Sequence, residues 1–157
     1  DPVLGLDDWQ GAKLLQIEPG GATELADLGD VDTGDPQLLA DFIATGISQF
    51  PAAHYSLIIS DHGASWPGVG GDESSDGNGL GLDELQAGIA GGLEGAGVDQ
   101  LDLLGFDACL MATYEVASAL AITTVVEHVR DHDEWTVLRD PSGLAYCVTE
   151  GIRSFDG

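Results

Sequence analysis

Three short apolar runs punctuate the chain: KLLQIE at 13–18, HYSLIIS at 54–60 and LDLLGF at 101–106. The second and third are nearly continuous and aliphatic, the pattern of strands covered on both faces. Between the first and second lies GDPQLLADFIATGISQF, where Asp35 can cap a helix and Pro36 suits its first position. Leu38, Leu39, Phe42, Ile43 and Ile47 then fall on one apolar stripe. A second helix is predicted before the third run, with Asp83 as cap, Gln86 closing a capping box, and Leu82, Leu85, Ile89 and Leu93 at helical spacing until GAG stops it. MATYEVASAL after the third run reads as another helix, with Met111, Tyr114 and Ala117 or Ser118 along one side. Strand, helix, strand, helix, strand predicts an α/β fold with a mostly parallel central sheet and helices on its faces.

In such sheets chemistry collects at the carboxyl ends of the strands. Asp61-His62-Gly63 stands at one such end and FDACLM, with Cys109, at the next. A histidine at a strand end often does no more than satisfy a carbonyl, and a lone cysteine is often a small buried hydrophobe. Matched strand ends change that reading, because adjacent parallel strands would present imidazole and thiol side by side. A thiol at a helix start has its thiolate favoured by the helix dipole, and the histidine can take the proton. Gly63 admits a close main-chain N–H, and the N–H of Cys109 points the same way, so the two could hold a developing oxyanion.

Composition narrows the partners. The 157 residues suffice for one domain with a real core. Four basic residues against twenty-eight acidic ones give a net charge of −24, which excludes nucleic acid as a natural partner and suits either high salt or basic ligands. No apolar run approaches the roughly 20 residues of a membrane span, so no membrane insertion is expected. The opening DPVLGLDDWQG has no methionine, basic n-region or apolar h-region and reads as a processed, excised or incomplete end. Cys109 and Cys147 could pair, but two cysteines make no disulfide framework.

Two further patterns suggest metals. DESSDGNGLGLD spaces Asp72, Ser74, Asp76 and Asp83 somewhat like a calcium loop, but Gly79 replaces the usual apolar residue and Asp83 the usual glutamate. A flexible loop ending in the Asp83 cap explains it as well, so no cofactor is required, with calcium as the candidate if there is one. His128 and His132 stand one helical turn apart in HVRDH, without a catalytic glutamate between them or a third ligand. The absence of a Gly-x-Ser-x-Gly elbow argues against a serine hydrolase.

DDWQGAK at 7–13, LGDVDTGDPQLLADFI at 28–43, LIISDHGASWPGVGGDE at 57–73 and the run from LGLDELQ at 80 to VASAL at 120 together resemble the clostripain family of cysteine peptidases, of the caspase-like clan. The spacing of His62 and Cys109 is similar to the roughly 50 residues of the caspase signature. The resemblance implies a three-layer caspase-like sandwich, a His62–Cys109 dyad, oxyanion-hole amides from Gly63 and Cys109, and cleavage of peptides or proteins after a basic P1 residue, arginine above all. It also implies a secreted or extracytoplasmic location. Asp107 falls where the family's Asp-x-Cys motif places an acidic group in the S1 pocket. A carboxylate facing a guanidinium makes strong paired bonds there and is left unpaired by an apolar P1 side chain. Residues 1–120 would be a partial peptidase core, because the family has an additional strand and helix before the Asp-Trp-x-Gly region that residues 1–8 are too few and too polar to replace. Residues 121–157 depart from the pattern and form a divergent segment. The competing expectation is therefore a truncated, catalytically inactive remnant or binding module of the same fold.

Overall fold

The computed structural model describes residues 9–120, together with the backbone of three strands at 127–131, 135–139 and 145–149. Strand β1 (Ala12–Glu18) turns through Pro19 and Gly20 into β2 (Gly21–Gly29), and the two form an antiparallel hairpin. Helix α1 (Pro36–Gln49) leads to β3 (Ser56–Ser60). A second hairpin follows, β4 (Val69–Asp72) and β5 (Asn78–Leu80), joined by a 3-10 turn at Glu73–Ser75. Helix α2 (Leu82–Ala96), strand β6 (Leu103–Asp107) and helix α3 (Tyr114–Leu120) complete this part. The last three strands, β7 (Glu127–Asp131), β8 (Trp135–Arg139) and β9 (Ala145–Thr149), form an antiparallel sheet of their own. The side chains of His128, His132 and Cys147 lie outside the described residues.

The centre of the fold is the parallel pair β3–β6, in unbroken register from Ser56 opposite Leu103 to Ser60 opposite Asp107. Its side chains alternate between two faces. Leu57, Ile59, Leu104 and Phe106 meet the helices, joining Ile43, Ile47, Ile89 and Leu93 on one side and Leu85, Met111 and Val116 on the other. Ile58 and Leu103 occupy the opposite face and remain 57% and 43% exposed. The described residues around this pair thus make two layers, helices on one face of a short sheet.

The expected strand at 13–18 is present, but it does not join that sheet. It pairs with β2, a strand hidden in GATELADLG among small and acidic residues, because Pro19-Gly20-Gly21 makes a tight reversal more accessible than a long crossover. Lys13, on this hairpin, bridges Glu24 and Asp27 and lies 5.8 Å above the Trp9 ring.

Helix α1 begins as the sequence predicts: Asp35 accepts the Gln37 N–H at 2.8 Å and Pro36 fills the first turn. Its buried side is Ala40, Ile43 and Ile47, whereas Phe42 is 50% exposed. Helix α2 starts earlier than Asp83 would allow. β5 runs to Leu80, so Gly81 becomes the cap and the Glu84 carboxylate accepts its N–H at 2.9 Å, leaving Asp83 in the first turn. The two helices approach closely because Gly88 and Gly92 are buried against α1. A β-carbon at Gly92 would lie 2.7 Å from Ile43 Cβ and 2.8 Å from the Ala40 carbonyl.

That contact is testable. Gly92→Val should lower stability by about 1–3 kcal/mol through overpacking, while Gly95→Ala, whose new methyl would meet Ala44 at 3.6 Å, should be neutral or stabilising by up to about 1 kcal/mol. Urea unfolding of both variants decides it, and equal effects would refute the close packing of α1 on α2.

Candidate active site

Because β3 and β6 run parallel and end at the same level, the loops that follow them emerge side by side. The last pair, Ser60 and Asp107, share a face: the Ser60 hydroxyl donates to Asp107 Oδ2 at 3.3 Å, and the Asp61 N–H donates to the Asp107 carbonyl at 3.3 Å. Asp107 is exposed, on the face of the sheet away from the helices. The next residue of the β3 loop, His62, is exposed as well, and its N–H is taken by the Asp61 carboxylate. Cys109 is a free, exposed thiol in the turn after β6.

Gly63 is where the two loops touch. A β-carbon there would fall 2.0 Å from the Cys109 carbonyl oxygen and 2.8 Å from the Met111 side chain, so the position admits only glycine. The structure therefore brings the His62 and Cys109 segments together, as the matched strand ends imply. Among the described residues no hydrogen bond joins the His62 ring to the Cys109 thiol. The helix-start argument for the thiol fails: α3 begins only at Tyr114, because the chain after Cys109 first turns through Leu110, whose φ of 61° is left-handed.

The outer side of the His62 loop is held by β4. Gly63 and Val69 form a bridge whose bonds run from Gly70 N–H to the His62 carbonyl at 2.8 Å and from Ala64 N–H to the Gly68 carbonyl at 2.9 Å. The N–H of Gly63 is thereby turned away from β4, and among the described residues neither it nor the N–H of Cys109 donates to another group. The β4–β5 hairpin is in turn stitched to the loop before α1. Asp72 Oδ2 accepts the Thr33 N–H at 2.9 Å and its hydroxyl at 3.2 Å, while Asn78 Nδ2 donates to Asp32 at 2.7 Å.

Sequence reading overlooked this framework. It also passed over Ser60 and the pairing of Ser65 with Thr113, hydroxyls 3.1 Å apart that link the two loops a second time. Thr113 had a legible signal, since it caps α3 by accepting the Val116 N–H at 3.4 Å.

The calcium-loop residues do not converge. Asp72 and Ser74 bond each other at the 3-10 turn, Asp76 is its left-handed terminus, and Asp83 lies in α2. No group of three or more His, Cys, Asp or Glu side chains is arranged to hold a metal among the described residues. Asp72 is instead a structural acceptor: the Ser74 hydroxyl, then the Thr33 N–H, hold its carboxyl well below the usual carboxylate range.

A model of the clostripain family matches residues 14–126 of the chain. Clostripain of Hathewaya histolytica is 28% identical over 142 aligned residues, which take in 74% of this chain and 26% of that protein. The chain thus spans about a quarter of the length of the curated relative it matches. No solved structure matches.

The Asp72 contacts carry a pH signature. A carboxyl depressed in the folded state contributes stability that is complete above its unfolded value of about 4 and is lost as pH falls through the acid range. Asp72→Asn should therefore be less stable than the parent at pH 7, with the gap unchanged down to about pH 4 and narrowing from there toward pH 2. Urea midpoints across that range test it, and a gap independent of pH would show that the carboxylate charge is not what holds the hairpin.

Proposed function

The chain belongs to the clostripain family of cysteine peptidases, and on that premise we propose that it carries the catalytic half-sites of a cysteine endopeptidase cleaving after basic residues. The observation that supports this reading best is the contact of Gly63 with the Cys109 carbonyl, which sets a histidine loop against a cysteine loop at two parallel strand ends.

In the proposed mechanism the Cys109 sulfur attacks the scissile carbonyl, forming a tetrahedral adduct that collapses to a thioester. His62 takes the thiol proton as the sulfur attacks, and the resulting imidazolium gives it to the leaving amine; the neutral ring then draws a proton from the water that hydrolyses the thioester and returns it to the departing Cys109 sulfur. The N–H groups of Gly63 and Cys109, uncommitted to other acceptors among the described residues, are suited to receive the oxyanion. An apo site with the imidazole and thiol not yet hydrogen-bonded is compatible with this chemistry, since such contacts often tighten only with substrate.

Asp107 is proposed as the S1 carboxylate that reads a P1 arginine. It is exposed at the end of β6, and Ser60 steadies one of its oxygens while leaving the other for a guanidinium. Trp66 and Leu110 on the two loops and Tyr114 at the start of α3, 72%, 56% and 66% exposed, offer apolar surface for side chains flanking the scissile bond. The uncovered face bearing Ile58 and Leu103 is where we place the third layer of a caspase-like sandwich. Among the described residues no helix is long and apolar enough to cross a membrane.

Hydrolysis of a P1-arginine peptide should vanish in Cys109→Ala and survive in Cys147→Ala, and His62→Ala should cost roughly a hundredfold or more. Activity persisting in Cys109→Ala would end the thiol-peptidase reading. An inactive parent that still binds arginine peptides would mark a non-catalytic module instead.

Specificity separates pocket from surface field. The field of a chain with net charge −24 is screened within about 8 Å at physiological salt and cannot tell P1 from its neighbours. Asp107→Asn should reduce the arginine-over-alanine ratio in kcat/KM by roughly thirtyfold or more, the effect of about 2 kcal/mol from one lost charge-assisted pair. A ratio that ignores this change and fades with salt would assign the preference to the surface.

A further inference from the structure

We propose that Ser65 and Thr113 are positioning residues, a hydroxyl latch that fixes the orientation of the His62 loop relative to the Cys109 loop. This rests on the reading of His62 and Cys109 as a dyad and adds residues to which that reading gives no role.

The two loops meet at Gly63 and the Cys109 carbonyl, but one point of contact leaves them free to pivot. The second point is the Ser65 Oγ to Thr113 Oγ1 bond, 3.1 Å long and partly shielded from water. Both hydroxyls are anchored in rigid surroundings. Thr113 Oγ1 accepts the Val116 N–H at the start of α3, which leaves its own proton for Ser65. Ser65 belongs to a closed turn, its carbonyl accepting the Gly68 N–H at 2.9 Å while the Gly68 carbonyl accepts the Ala64 N–H at 2.9 Å. That turn continues into β4, whose Gly70 N–H holds the His62 carbonyl. A displacement of Thr113 is therefore transmitted to His62 through a short run of bonded backbone.

The backbone of Ser65 strengthens the assignment. Its φ of 65° is left-handed, a conformation that glycine adopts without strain and serine does not. A chain with 23 glycines carries serine at this position, and its hydroxyl is engaged with Thr113 alone among the described residues. Among the described residues neither hydroxyl hydrogen-bonds the thiol or the imidazole, so the latch acts through the loops.

The test uses the full chain in a Cys147→Ala background, where Cys109 is the one thiol, and follows its alkylation against pH by a peptidyl chloromethyl ketone ending in arginine, which fills the substrate site. The dyad reading expects a reactivity midpoint that rises in His62→Ala. Ser65→Gly removes the hydroxyl and relieves the backbone, so its melting temperature should match or exceed the parent's while the midpoint moves up by about one pH unit toward the His62→Ala profile. Thr113→Val should do the same to the midpoint, and Thr113→Ser should restore the parent profile. If Ser65→Gly and Thr113→Val keep the parent profile while His62→Ala shifts it, the latch is refuted and the dyad stands. A profile that His62→Ala leaves unchanged refutes the dyad, and the latch with it.

Discussion

The register of β3 against β6 is the constraint from which the rest follows. Five residues of each strand pair in parallel, and because both end together, Asp61-His62-Gly63 and Ala108-Cys109 begin at the same height. A slip of β6 by one residue would turn Leu104 and Phe106 away from the helices and move Asp107 away from Ser60. The apolar face therefore fixes the chemical end. Burial of Leu85, Ile89, Val116 and their neighbours holds the strands in one register, and that register sets where imidazole and thiol emerge.

The acidic composition is accommodated in a particular way. With four basic residues in the whole chain, carboxylates cannot rely on cations, and those ordered in the fold are held mostly by N–H and hydroxyl donors. Asp35 caps α1, Asp72 and Asp32 tie the β4–β5 hairpin to the loop before α1, and Asp61 takes the His62 N–H. Asp102 accepts the Tyr55 N–H and bonds His54 before β6 begins, and these two contacts, in that order, lower its pKa. Such bonds are local and directional, so they survive salt that would screen ion pairs. Among the described residues Asp107 keeps one carboxylate oxygen without a donor.

What was legible in the sequence had a strong local signal. Asp35 and Pro36 announce α1, the aliphatic runs announce β3 and β6, and the abrupt change from LIIS to DHG marks where β3 ends. What was not legible lacked one. β2 and the β4–β5 hairpin are built of glycine, alanine and acids, and they pair through the backbone with little help from side-chain pattern. Asp83 looks like a cap but loses the role to Gly81, because where α2 starts depends on where β5 ends. The loop contacts at the site join residues far apart in the chain. Gly63 hinted at a close approach, but only the fold shows that the approach is to the Cys109 carbonyl.

The central claim is that this loop contact makes Cys109 a nucleophile served by His62 and aimed at a basic P1 residue. The most direct measurement treats the chain with a peptidyl acyloxymethyl ketone ending in arginine and maps the adduct by mass spectrometry. The account predicts one adduct per chain, on Cys109, formed far faster than with the alanine-ended reagent and abolished by His62→Ala. Adducts divided between Cys109 and Cys147, or formed at the same rate with either reagent and without His62, would contradict it.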